Sequence, residues 1–123
     1  MKQEAKAQIV FNQYLREKKP NGFYELKVTE KDYFAFSKIE QVQYDGLQAT
    51  EKGGLVWKMS DADSRPKPCD TLCIPPLPSY IVIAFGKTFY FIRIKTIVDM
   101  RENGHISISR EEALKVAEKL VNF

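Results

Sequence analysis

Glu25 and Lys27 stand two residues apart in the run Gly22-Phe23-Tyr24-Glu25-Leu26-Lys27-Val28-Thr29. The run reads as a strand, and a strand sends residues i and i+2 to the same face. A carboxylate beside an ammonium on one face of a sheet suits a Mg²⁺ ion together with a water or a phosphate, the chemistry of a metal-dependent nuclease. The Glu-x-Lys string occurs three times, at Glu4/Lys6, Glu17/Lys19 and Glu25/Lys27. The first two fall in a stretch with helical periodicity, where i and i+2 do not share a face. Only the third has the geometry. Its plain alternative is a solvent-facing ion pair on a half-buried sheet.

Other oxygen ligands are sparse. Asp70, in Lys67-Pro68-Cys69-Asp70, borders the apolar Leu72 and Ile74 and is the best candidate for a second carboxylate. Asp61 and Asp63 read as turn formers, since Asp side chains bond local backbone groups. Gln43 sits on a predicted helix and can hold a water or a substrate group. His105, in Asn103-Gly104-His105, reads as a surface turn residue with no nucleophile beside it. Neither a P-loop nor a Gly-x-Gly-x-x-Gly string occurs. Cys69 and Cys73, with one histidine in the chain, do not make a zinc set and imply no disulfide.

These residues need elements to position them. A chain of 123 residues, 44% apolar, makes one domain with a real core. Its net charge of +3 is mildly basic, which permits nucleic-acid binding without arguing for it. No apolar run approaches the ~20 residues of a membrane span, and no apolar signal region follows Met1. The default compartment is a reducing cytoplasm.

The periodicity predicts a helix over residues 4–18 and a strand around Glu25. Ser37, with Glu40 three residues on, reads as a capping box opening a helix to about Ala49. Leu55–Met59 and Cys69–Ile74 read as extended, and Tyr80–Phe85 as a strand buried on both faces. Thr88–Ile97 reads as its hairpin partner, with Phe89, Phe91, Arg93 and Lys95 on one face. Ser109 and Glu112 cap a last helix to about Val121, with Leu114 and Leu120 facing inward. The order α-β-α-β-β-β-β-α gives an α/β domain, a mixed sheet flanked by helices.

Taken jointly, Gly22–Lys27, Phe36-Ser37-Lys38-Ile39, Gln43 with Leu47, Lys58-Met59-Ser60-Asp61, Lys67-Pro68-Cys69-Asp70 and Tyr80-Ile81-Val82-Ile83 resemble a family. The pattern is similar to small phage and bacterial proteins of the PD-(D/E)XK nuclease superfamily, in its Holliday-junction-resolvase-like branch. It covers roughly residues 4–95.

The resemblance implies a restriction-endonuclease-like core and Mg²⁺-dependent hydrolysis of phosphodiester bonds, with Mn²⁺ able to substitute. The implied substrate is DNA, with branched DNA such as four-way junctions in view, and the implied assembly is a homodimer. Glu25 and Asp70 would hold the metal, Lys27 would orient the attacking water, and Glu4 and Gln43 would match the helix carboxylate and helix glutamine. Phosphate contacts would come from Lys31, Lys38, Lys52, Lys87, Arg93 and Lys95. The chain departs from the pattern in two places. No Asp precedes Glu25, and Val42 stands where the pattern has His. A catalytically inactive DNA-binding or protein-interaction module on the same fold is the alternative.

Overall fold

The structure, a computed structural model, describes residues 2–59 and 68–123. Asp61 and Asp63 lie outside them.

The domain has three layers. Its centre is a four-stranded mixed sheet in the order β1-β5-β6-β8, formed by β1 (Phe23–Thr29), β5 (Ser79–Phe85), β6 (Thr88–Arg93) and β8 (Lys119–Asn122). β1 runs parallel to β5, and the other two pairings are antiparallel. A parallel pair needs a long crossover, and here residues 30–78 supply it. β5 is buried along almost its whole length, as its unbroken apolar run predicts. Ile81, Ile83 and Phe85 point to one side, Val82 and Ala84 to the other.

The helix α1 (Gln3–Lys18) covers the second face. Its Ala7 and Phe11 pack on Val82, Ala84, Phe89 and Phe91. The first face carries three helices, α2 (Gln41–Gly53), α3 (Ile94–Glu102) and α4 (Arg110–Val116), around Ile81, Ile83, Phe85, Tyr90 and Ile92. A short ribbon of β2 (Tyr33–Ala35) and β7 (Ser107–Ser109) closes that side, with Phe34 and Ile108 in the core. A second ribbon, β3 (Leu55–Lys58) with β4 (Thr71–Ile74), leaves the end of α2 and returns to β5. Gly54 makes that exit possible: its φ is +74°, and a Cβ there would collide with the Ile74 carbonyl.

Among the described residues four α-helices and eight strands replace the expected order α-β-α-β-β-β-β-α, the β2–β7 ribbon being unforeseen, and three of the differences have clear physical reasons. Ser37 does not cap a helix. It lies in a 3₁₀ turn, Phe36–Lys38, and α2 starts after Glu40 with no side-chain cap. The turn sends Phe36 and Ile39 into the core together, at 2% and 5% exposure. Burying two such side chains is worth ~3–6 kcal/mol, against ~1 kcal/mol for a cap.

Residues 94–97 do not extend β6. They open α3, which buries Ile94 and Ile97 one turn apart. Packing of an apolar stripe overrides the low helix propensity of β-branched residues, and Lys95 is therefore a helix residue. Finally, the capping box at Ser109 and Glu112 forms, but α4 stops at Val116. Residues 119–122 become β8 because the outer edge of β6 offers an unpaired ladder. Val121 then packs against the α1-side cluster of Ala7, Phe11, Val82, Ala84, Phe89 and Phe91, and the Phe123 ring stacks on Phe89 at 4.2 Å. Leu114 and Leu120 are exposed as a result.

Candidate active site

Glu25 and Lys27 share the face of β1 that looks toward α2, opposite Ile81 and Ile83 of β5. Lys27 Nζ lies 3.8 Å from Glu25 Oε1, and the side chains are 17% and 33% exposed. That distance is an ion pair and too long for a hydrogen bond. Lys27 Nζ makes no hydrogen bond among the described residues, so its donors remain for water or a phosphate oxygen.

Gln43, on the first turn of α2, completes the group. Its Nε2 donates to Glu25 Oε1 at 2.7 Å. Its Oε1 is buried and has no hydrogen-bond partner among the described residues. An unsatisfied buried carbonyl costs ~1–3 kcal/mol, so this amide holds an acceptor ready for something the folded chain does not supply. A cavity of about 470 Å³ adjoins the group, lined among others by Phe23, Glu25, Gln43 and Gly46.

A second carboxylate cluster stands at the same end of the sheet and is fully engaged. Glu51 Oε1 accepts from Arg93 Nε and Nη2 and from the backbone amide of the buried Ser79. Arg93 Nη1 reaches Glu118 at 3.5 Å, and the Tyr80 hydroxyl donates to Glu118 at 2.8 Å. Burial, and then that hydrogen bond, push the Tyr80 phenol up to about 12. The hydrogen bond to Glu51 raises Arg93 above its ordinary value. Arg93 is thus committed to two carboxylates and is not available as the phosphate contact expected of it.

The remaining candidates scatter. Glu4 lines a different cavity from Glu25, together with Thr29, Lys31, Tyr33 and Lys38. Lys31 donates to the Tyr33 hydroxyl at 3.3 Å and lies over that ring. Lys38, Lys52 and Lys95 are exposed, on the 3₁₀ turn, the last turn of α2 and α3. Lys87 is at the β5–β6 turn, beside a cavity shared with α1. Asp70 is exposed at the outer end of the β3–β4 ribbon, where its carbonyl accepts from Met59 N at 2.8 Å. That ribbon is a sheet separate from the one carrying Glu25. Cys69 and Cys73 are free and exposed. His105 is exposed, 3.7 Å from Glu112.

Among the described residues, no group of three or more His, Cys, Asp or Glu side chains gathers where a metal ion would sit. The donors present at Glu25 are nonetheless of the right kind. Mg²⁺ takes hard oxygen ligands and is commonly bound by one or two carboxylates, with waters and substrate phosphates completing the octahedron. A carboxylate next to an orphaned amide oxygen meets the lower limit of that set.

Phe23, Gly46 and the Glu51–Arg93 cluster escaped the sequence reading. Phe23 had a signal, since it is two residues before Glu25 on a strand. The Glu51–Arg93 contact joins residues 42 apart and has none. No helix among the described residues is long and apolar enough to cross a membrane. No family model, no curated protein and no solved structure matches the chain.

Proposed function

We propose that this protein is a Mg²⁺-dependent DNA endonuclease with a restriction-endonuclease-like core, acting as a homodimer on branched DNA. The observation that carries the proposal is the group formed by Glu25, Lys27 and Gln43. A half-buried carboxylate is oriented by one amide hydrogen, and an ammonium beside it keeps its donors. The sheet with helices on both faces is compatible with that core.

In this reading Glu25 and the Gln43 carbonyl would hold the ion. The bound metal would lower the pKa of a water and neutralise phosphate oxygens. Lys27 steadies the charge that develops on the phosphate and orients the attacking water. Gln43 Nε2 fixes the Glu25 rotamer. The resemblance names Asp70 as the second carboxylate, but Asp70 lies by the separate β3–β4 ribbon, so the Asp70→Asn variant decides its part; the exposed Lys31, Lys38 and Lys52 would be the phosphate contacts, weakening as salt rises.

The test is cleavage of labelled four-way junction and duplex DNA with Mg²⁺ or Mn²⁺. Wild type is expected to cut the junction in preference. Glu25→Gln and Lys27→Ala are expected to lose cleavage while still binding. A loss for Asp70→Asn as deep as for Glu25→Gln puts Asp70 in the site. One observation favours a second reading, the inactive DNA-binding or protein-interaction module: no cluster of three metal-ligating side chains among the described residues. Retained binding with no cleavage by wild type selects it.

A further inference from the structure

The cavity beside Glu25 has a composition that a metal-and-phosphate site does not require. Besides Glu25 and Gln43 it is walled by Leu15, Phe23, Gly46 and Leu47. Phe23, Glu25 and Lys27 stand in one row on the same face of β1, spaced by about 6.6 Å per step. The row therefore runs from an aromatic ring, past the carboxylate, to the ammonium. Phe23 also differs from the other rings of this end. Tyr24, Tyr80 and Phe91 pack on one another, whereas Phe23 makes no ring contact among the described residues and is half-buried at the cavity.

The space, about 470 Å³, is an open groove rather than an enclosed cavity, and it is large enough for a single nucleotide to lie in. Gly46 lines it, and apart from its chain neighbours and helix backbone nothing lies within 4 Å of where its Cβ would be, so a larger side chain there would project into open space.

We infer that this groove takes one unpaired nucleotide next to the phosphate held at Glu25 and Lys27, with its base stacked on Phe23. The inference rests on the nuclease reading and names its substrate class. In a duplex both faces of a base are covered by neighbours, so a base reaches an aromatic side chain only by leaving the stack, which costs least where it is already unpaired. The substrate is then DNA carrying an unpaired nucleotide at the cut, such as a flap; a four-way junction, whose arms are paired, qualifies only where the pairs at its branch point open, and continuous duplex is a poor one.

The experiment places 2-aminopurine at successive positions around the branch of a flap DNA and of a four-way junction. It measures fluorescence on binding with Ca²⁺ in place of Mg²⁺. Wild type is expected to quench the probe at one position next to the cut, and the matched duplex is expected to show no change. Phe23→Ala and Gly46→Leu are expected to lose the quench and to bind the flap about five-fold or more weakly, the size of one lost base–aromatic stack. Phe23→Tyr is expected to keep it. Thermal melting of each variant checks that it folds, and Gly46→Leu puts a good helix former where the space is open.

The inference is overturned if wild type binds the branched DNA with no fluorescence change at any position, or if Phe23→Ala and Gly46→Leu quench as wild type does. Failure of the nuclease reading looks different. Quenching without cleavage in Mg²⁺ or Mn²⁺ leaves a nucleotide pocket on a non-catalytic module. Absence of DNA binding by wild type removes both.

Discussion

Glu25 and Glu51 are carboxylates of similar exposure, 33% and 22%, the first bonded to α2 from β1 and the second carried by α2 itself. Their surroundings are opposite. Glu51 is met by two guanidinium hydrogens and a backbone amide, and its Arg93 partner is shared with Glu118. Glu25 has one amide hydrogen and an ammonium at hydrogen-bond-excluding distance, and the amide that serves it leaves its own oxygen orphaned. A charge completed by the fold belongs to stability. A charge left incomplete is where the proposed chemistry has room to act. The two clusters are a matched pair within one molecule, and mutations separate them.

The largest effect is expected at the incomplete cluster and on chemistry alone. Glu25→Gln should lower cleavage by about 100-fold or more, ~2.7 kcal/mol of lost transition-state stabilisation, while the urea midpoint stays close to wild type. A large fall in the midpoint would place Glu25 with Glu51 as a structural charge. The reverse pattern is expected of Arg93→Ala. It strands the half-buried Glu51 carboxylate and should cost ~2–3 kcal/mol in urea unfolding, with cleavage per folded molecule near wild type.

Gln43→Leu sharpens the same contrast. It removes an unsatisfied buried acceptor, a change that is often neutral or stabilising. The melting temperature should hold or rise slightly, while Mn²⁺ affinity and cleavage fall about ten-fold as Glu25 loses its orienting bond. A drop in stability without a change in metal affinity would make Gln43 part of the packing.

The smallest effect belongs to a charge far from both clusters. The Ser109 backbone amide and then the Ser109 hydroxyl bond to the α4 cap hold Glu112 below its ordinary value of 4.5. A carboxyl lowered in the folded state stabilises above its unfolded pKa, and that contribution is lost as pH falls through the folded value. Glu112→Gln should thus be less stable than wild type near neutral pH, by well under ~1 kcal/mol for so exposed a group. The difference should close as pH falls below 4.5 and through the lowered folded value.

Much of this was legible in the sequence, and the limits have physical causes. The Glu25–Lys27 juxtaposition followed from the two-residue period of a strand, and burial of β5 on both faces followed from Tyr80–Phe85. The capping box at Ser109 is a local motif and formed as read. The box at Ser37 is the same motif and did not form, because Phe36 and Ile39 are needed in the core. β8 was unreadable because its reason is the edge of β6, some thirty residues upstream. The site divides likewise. Glu25, Lys27 and Gln43 come together through one strand and one helix. The scatter of Glu4, Asp70 and Lys87 reflects three other surfaces whose relation to Glu25 no local pattern carries.

β1 sits at the rim of the sheet, with β5 on one side only. A seven-residue rim strand flanked by apolar groups invites other chains to pair with it, and charges turned toward the interior are one way proteins discourage this. Glu25 and Lys27 meet that description whatever else they do. Replacing both with valine would leave Phe23-Tyr24-Val-Leu26-Val-Val28, a segment fit to nucleate fibrils at the concentrations used for assays. Inward-turned charge at this rim thus discourages strand-to-strand association, and variants of Glu25 and Lys27 are best made with glutamine and alanine.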